Sequence, residues 1–403
     1  MKIGVATPFR PHDLADLLDS ASRRQLPGLG GLSATPVAPL VREWHRRGHS
    51  LAIFCLDPSA TRMQVLQGER LSVHVLPKRR ARHYLLDFYR TECRLIREAI
   101  RQENPDVLSA QWSYEHAWAA LQTGIPTVVT CHDTPLRYAW IAKDWHTSYQ
   151  LAMAWRVIRK AHRLVCVSPY TSRHIRQYFR PRCPVDIIPN GLPPEIFARG
   201  EKRLHRPTTA RPDRPYTLCC VAGWGKVKNL TTLLAAFAQA RQTTPKARLV
   251  LFGRELGPGQ AAELWARRRQ LADGVVFRGG VSREDILDFL ESEADVMVHP
   301  SLIETHGMVL IEAMACGVPV IGGNRSGAVP WTLDEGRCGF LCDVRNPSAL
   351  AEAMLQAMRQ PDGNRALVER AWDSVKQRFN LERAVNANEE VLKQLLAQNR
   401  RTQ

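Results

Sequence analysis

The chain has 403 residues, of which 44% are apolar, enough for two domain cores of ordinary size. Its formal charge is +17, with 28 Lys and Arg against 16 Asp and Glu in residues 1–200 and 28 against 23 thereafter. This composition excludes a largely disordered chain, and no run of about 18 uncharged apolar residues offers a membrane-spanning helix.

In chain order, Lys2–Thr7 reads as a strand that Pro8 and Arg10 end, too short an apolar run for a signal peptide. Pro8–Ser33 is long for a strand–helix connection and reads as either a binding loop or a mobile one. A helix is expected over Thr35–Arg47, stopped by Gly48, and another over Leu86–Gln102. Strands are expected at Ser50–Cys55, Ser72–Leu76, Val107–Ala110, Thr127–Cys131, Arg163–Val167 and Val185–Ile188. The Pro- and Arg-rich stretch Arg206–Pro215 reads as a linker. The pattern then restarts: a strand at Tyr216–Ala222, a helix from about Leu230 to Arg241, and strands at Arg248–Phe252, Val275–Arg278, Val296–His299 and Val318–Ile321.

Short apolar strands alternating with helices define parallel sheets. The expected fold is α/β, with two doubly wound Rossmann-like domains in tandem facing across a cleft. Residues 1–205 would form the first and 206–379 the second, with a helix at about 380–403 returning to the first. The ten cysteines show no CxxC spacing or paired framework, so the chain reads as cytoplasmic with reduced thiols. The positive first half fits an anionic partner, whether nucleic acid, an anionic membrane surface or a phosphorylated acceptor, or else arginine-rich composition alone. Lys78-Arg79-Arg80-Ala81-Arg82-His83 could meet anionic headgroups or be a solvated basic loop.

The densest chemistry lies between Glu304 and Val320. The segment follows the strand Val296–His299 and a Pro300-Ser301 turn. Gly307 allows close approach of backbone to a ligand, and a helix start there offers N–H groups suited to a pyrophosphate. Glu304 precedes this turn and Glu312 follows it. Two carboxylates so placed can each accept hydroxyl hydrogen bonds from a sugar or ribose. A capping Glu304 and a salt-bridged Glu312 is the other reading.

Pro300 to Val320 resembles the E-x7-E motif of the retaining GT-B glycosyltransferases of family 4 (GT4, glycosyl transferases group 1). Pro-Ser, Glu304, Gly307, Glu312-Ala-Met-Ala-Cys-Gly-Val-Pro-Val all match. Ile188-Pro189-Asn190-Gly191, Phe277-Arg278-Gly279-Gly280-Val281, Lys228-Asn229 and Thr130-Cys131-His132-Asp133 resemble other segments of that family. Gly28-Leu29-Gly30-Gly31 resembles its Gly-Gly loop. The resemblance runs over about residues 1–385.

It implies a nucleotide-sugar donor, such as a UDP- or GDP-sugar, and a glycan or lipid-linked acceptor, with no metal or other cofactor and no nucleic acid. Glu304 and His132 would act at the sugar and the reacting carbon. Lys228 would neutralise the pyrophosphate, Gly307 and Met308 would offer N–H groups, and Glu312 would hold the ribose. Gly31, Lys226, Arg278, His306 and Val309 complete the expected donor site. The family's usual Arg, five residues before the Lys, is Gly223 here, and Lys226 is the candidate substitute. The expected role is retaining transfer in cell-surface glycan, lipopolysaccharide or glycolipid synthesis, with peripheral contact at the inner face of the plasma membrane. An epimerase of the same fold, a phosphorylase, and a non-catalytic anion- or nucleic-acid-binding protein are the alternatives.

Overall fold

The computed structural model describes residues 1–31, 35–205, 214–359 and 364–402. They form two compact units, one of Met1–Gly191 with Leu381–Gln403 and one of Leu192–Asn380.

The first unit contains β1 (Lys2–Ala6), α1 (Ser20–Arg23), α2 (Val37–Arg46), β2 (Ser50–Asp57), β3 (Gln64–Gly68), β4 (Leu71–Pro77), α3 (Ala81–Leu86) and α4 (Arg90–Glu103). It continues with β5 (Val107–Gln111), α5 (Glu115–Leu121), β6 (Thr127–Cys131), α6 (Pro135–Ala142), α7 (Trp145–Lys160), β7 (Arg163–Cys166), α8 (Pro169–Phe179) and β8 (Val185–Ile187). The sheet order is β3-β4-β2-β1-β5-β6-β7-β8. Every pairing is parallel except β3 with β4. Central strands are buried on both faces, which is why they read as continuous apolar runs. One core holds Val5, Trp44, Val73 and Leu392, and the other Phe54, Ile96, Val129 and Val157.

The second unit contains α9 (Pro194–Leu204), β9 (Thr217–Val221), α10 (Leu230–Thr243), β10 (Arg248–Phe252), α11 (Ala261–Arg268), β11 (Val275–Gly279), α12 (Arg283–Ser292) and β12 (Val296–His299). After it come α13 (Met308–Ala315), β13 (Val320–Gly323), α14 (Val329–Thr332), β14 (Phe340–Cys342), α15 (Pro347–Arg359) and α16 (Asn364–Arg378). The sheet is wholly parallel, in the order β11-β10-β9-β12-β13-β14. The last helix, α17 (Leu381–Thr402), packs on α2, β5 and β6 of the first unit.

The units divide at Gly191/Leu192, not at residue 205/206. The reason is α9, which packs on α12, α13 and α16. Gly200 lies so close to the Ala315 carbonyl and the Trp372 ring that any side chain there would collide. Trp372 Nε1 donates to the Phe197 carbonyl at 3.2 Å, and the Arg203 guanidinium donates to the Leu290 and Ala294 carbonyls. Most of the expected linker, residues 206–213, lies outside the described residues.

Other departures are local. The helix expected over Leu86–Gln102 is α4, which starts later, at Arg90, and is separated from the preceding α3 where Phe88 and Tyr89 take φ of +54° and +59°. The long Pro8–Ser33 connection is folded, apart from Leu32 and Ser33, which fall outside the described residues. It makes short helical turns and buries Phe9, Leu14, Leu18, Leu26 and Leu29. Among the described residues no helix is long and apolar enough to cross a membrane. The basic run is partly spent internally: Lys78 pairs with Glu115 at 3.5 Å, and Arg79 with Asp87 and the fully buried Glu92 at 2.7 Å each.

Candidate active site

In open parallel sheets, ligands bind beyond the carboxyl ends of strands, where the strand order reverses. In the second unit that point lies between β9 and β12, adjacent strands from which the chain winds in opposite directions. The loop after β9 carries Lys226 and Lys228, and the loop after β12 carries Glu304. Backbone bonds join the two loops. Leu302 N–H donates to the Val227 carbonyl at 2.8 Å, and the Asn229 side chain donates to the Pro300 and Val344 carbonyls at 3.2 and 2.7 Å. Glu304 N–H donates to the Ser326 carbonyl, and the Glu304 carbonyl accepts from Ala328 N–H.

Lys228 Nζ then reaches Glu304 Oε1 at 2.5 Å, and His299 Nε2 lies 2.9 Å from the same oxygen. Burial by itself would raise the Glu304 carboxyl. The Lys228 charge and the His299 contact outweigh it and hold the group well below the usual carboxylate range. Glu304 is therefore an anion at any physiological pH.

Gly307 follows, in the left-handed region at φ +80°, and caps α13, a helix start where the first N–H groups lack an intrahelical acceptor. Met308 and Val309 open that helix half-buried. The α13 N-terminus carries the positive end of the helix dipole. One turn on, Glu312 is 5% exposed and accepts from Arg283 Nε and Nη2 at 2.8 and 2.6 Å, both on Oε1. Burial raises the Glu312 carboxyl above its ordinary value, while Arg283 pulls it down. Arg283 is placed by the capping box of Ser282 and Asp285 at the start of α12.

The remaining expected residues of this unit divide. Lys226 is exposed in the same turn as Lys228. Arg278 is exposed on β11, the outermost strand, two places from β9. The His306 ring is 2% exposed and packs edge-on to Phe379, with centroids 4.9 Å apart, and near Trp331. That side chain belongs to the core; only its backbone borders the loop, with its carbonyl accepting from Thr332.

In the first unit His132 follows the carboxyl end of β6. Its Nε2 lies 2.7 Å from Gln111 Oε1 at the end of β5, and its ring lies on Trp112 with centroids 4.3 Å apart. Burial pushes the imidazole down to about 3, so it is neutral at physiological pH. Beside it, burial lifts the Asp133 carboxyl to about 6 against the hydrogen bond from Tyr114 Oη at 2.5 Å. Gly31 has φ +74°, and a Cβ there would stand 2.4 Å from the Phe9 carbonyl oxygen. The neighbouring Gly30 N–H donates to Asp57 Oδ2 at 2.8 Å and to Ser59 Oγ at 2.9 Å, tying the glycine loop to the end of β2.

Four of these groups escaped sequence reasoning: His299, Arg283, Asp57 and Gln111. Three of them end strands, where a polar residue after an apolar run is a readable signal. Arg283 opens a helix and meets Glu312 only through tertiary packing.

Two parallel-sheet α/β domains, the second with a cation, a carboxylate and a glycine-capped helix at its switch point, define the GT-B class. Residues 201–373 match the family described as glycosyl transferases group 1, and residues 34–196 match glycosyltransferase family 4. The chain belongs to this family of glycosyltransferases. It is 26% identical over 301 residues to the N-acetyl-alpha-D-glucosaminyl L-malate synthase of Bacillus anthracis, covering 73% of this chain and 76% of that one. It is 31% identical over 209 residues to a GDP-mannose-dependent alpha-(1-6)-phosphatidylinositol monomannoside mannosyltransferase of Mycobacterium tuberculosis, about half of each chain (49% and 52%). The fold matches sucrose-phosphate synthase from Thermosynechococcus elongatus with a TM-score of 0.79 at 20% identity, covering 98% and 99% of the two chains. It also matches Anabaena HepE in complex with UDP-glucose, with a TM-score of 0.68 at 17% identity over 98% and 100%.

Proposed function

We propose that this enzyme transfers a sugar, with retention of configuration, from a nucleotide-sugar donor to the hydroxyl of a lipid-linked or glycan acceptor in bacterial cell-surface synthesis. It would work at the inner face of the plasma membrane. The observation that carries the reading is the Lys228–Glu304 ion pair beside the open N-terminus of α13, with Glu312 one turn along the same helix.

In this reading the bond between the anomeric carbon and the terminal phosphate oxygen breaks, and the nucleoside diphosphate leaves with the electron pair. Lys228 and the Gly307–Val309 N–H groups stabilise that charge. The acceptor oxygen bonds to the anomeric carbon from the same face, and its proton passes to the departing phosphate oxygen. Both bonds to Glu304 fall on Oε1, and its other oxygen is assigned to the sugar hydroxyls. Glu312, likewise held through Oε1, is assigned to the ribose. His132, being neutral, serves as a hydrogen-bonding group near the reacting carbon rather than as a counter-charge. Arg278 is assigned to the base end, where the backbone after β11 would read the nucleotide. Lys226 is a second cation for the phosphates in place of the Arg that Gly223 replaces.

A thermal-shift series with UDP, GDP and ADP and their sugars tests the donor class. One nucleotide should raise the melting temperature of the wild type, and Glu312→Ala should abolish that rise. A melting temperature unmoved by all three sinks the donor assignment.

A further inference from the structure

A surface of the first unit carries side chains that water does not favour. Trp145 is 82% exposed, Trp140 63%, Trp155 52% and Leu86 86%. On α7 the exposed positions are Trp145, Ser148, Ala152, Trp155, Arg156 and Lys160, spaced so as to share one arc of the helix. The opposite arc, Met153, Ala154, Val157 and Ile158, is buried, so α7 is docked and its outward face is settled. Trp140 stands on α6, across the Lys143–Asp144 turn from Trp145. The end of α3 adjoins the same place. Tyr84 and Tyr89 contact His146, and Phe88 packs on Tyr149 with centroids 5.5 Å apart.

The charges around these rings are one-sided. Residues 135–160 hold five Lys and Arg against one Asp. That one, Asp144, is spent capping α7 through Thr147 N–H. Arg156 lies over the half-buried Phe88 at 4.8 Å and Arg159 over the exposed Trp155 at 5.0 Å, so both cations stand at this face.

Tryptophan favours the boundary between lipid headgroups and acyl chains, and Lys and Arg beside it favour anionic headgroups. We infer that the outer face of α6 and α7, with the tip of α3, is a docking surface for an anionic lipid bilayer, entered by Trp140, Trp145 and Trp155 and held by Lys143, Arg156 and Arg159. This centres the membrane contact on α6 and α7 rather than on Lys78 and Arg79, the first two cations of the Lys78–His83 run, which are paired internally. The inference deepens the reading of a membrane-borne acceptor, but binding to lipid does not depend on sugar transfer, so the two fail separately.

Flotation with phosphatidylglycerol/phosphatidylethanolamine vesicles, against phosphatidylcholine vesicles, tests it on the full-length wild type and two variants. Trp145→Ser/Trp155→Ser should lower the partition coefficient about tenfold or more. Arg156→Gln/Arg159→Gln should lower it about fivefold per cation at low salt. Donor-induced thermal shift should be unchanged in both, which separates this claim from the active-site reading. Brominated acyl chains should quench wild-type tryptophan fluorescence, and quench it less in the double-Trp variant. No flotation on anionic vesicles, or flotation that the double-Trp variant retains in full, overturns the inference. A wild type that elutes as a dimer, and a double-Trp variant that elutes as a monomer, would assign the face to a second copy of the chain and overturn it too.

Discussion

Replacing Lys228 with Met removes the cation from Glu304 while keeping the side chain's length. Taking one partner from a buried pair costs roughly 3–5 kcal/mol, because the other charge is stranded. Lys228 keeps 30% of its side-chain surface in water, and Glu304 keeps its His299 contact, so the figure falls to about 2 kcal/mol. The pH dependence sharpens the test. The folded-state Glu304 carboxyl sits below its unfolded value, so the pair stabilises in full above about pH 4.3. That contribution is lost as pH falls from there towards the depressed folded value. In Lys228→Met only the His299 contact still opposes the burial effect, and Glu304 takes up a proton more readily. The gap between wild type and variant should thus be widest near neutrality and narrow towards about pH 3. Urea unfolding followed by circular dichroism, fitted with separate transitions for the two compact units, measures it. A neutral-pH gap under about 0.5 kcal/mol, or the same gap at low pH, would refute the ion-pair argument.

Gly31→Ala should destabilise the first unit by about 2 kcal/mol, since the left-handed backbone alone costs an L-residue roughly 1–2 kcal/mol and the new Cβ meets the Phe9 carbonyl. Gly28→Ala, with nothing within 4 Å of its Cβ, should stay within about 0.5 kcal/mol in the same urea titration. Arg283→Ala should leave the raised Glu312 carboxyl more often protonated, so nucleotide affinity should fall near neutrality and recover with rising pH; calorimetry showing a pH-independent loss would contradict that. Asp133 has a folded-state value of about 6, above its ordinary 3.8, so its charge penalises folding increasingly from about pH 4 to 6. Asp133→Asn should therefore gain about 1–3 kcal/mol on the wild type across that window and hold the gain above it, read by thermal unfolding.

Much of the fold was legible because buried parallel strands carry their signal in every residue. Thr127–Cys131, Arg248–Phe252 and Val296–His299 begin and end where the apolar runs do. The antiparallel edge strand Gln64–Gly68 was missed because only one of its residues is buried and its composition is half polar. The break between α3 and α4 had no glycine or proline to announce it, since two aromatic residues take the left-handed conformation. The unit boundary was misplaced because composition marks residues 206–215 as linker, whereas the packing of Gly200 on Ala315 and Trp372 is tertiary and leaves no local trace. In the candidate site, Glu304, Gly307 and Glu312 stood out by residue type and spacing, and Lys228 through the resemblance of its segment to the family's. Their partners His299 and Arg283 were not, because each pairing depends on how neighbouring strands and helices come together. His306 was drawn into the site by its position between Glu304 and Gly307, while its ring turned inward to Phe379.

We propose that the second unit activates a nucleotide-sugar for transfer with retention at Lys228, Glu304 and Glu312. Water can replace the unknown acceptor, so the most direct test is proton NMR of donor hydrolysis, read before the free sugar mutarotates. With one donor from a panel of UDP-, GDP- and ADP-sugars, the sugar should first appear in the donor's own anomeric configuration, and Glu304→Gln should suppress its release. An inverted anomer appearing first, or no donor consumed at all, would contradict the account.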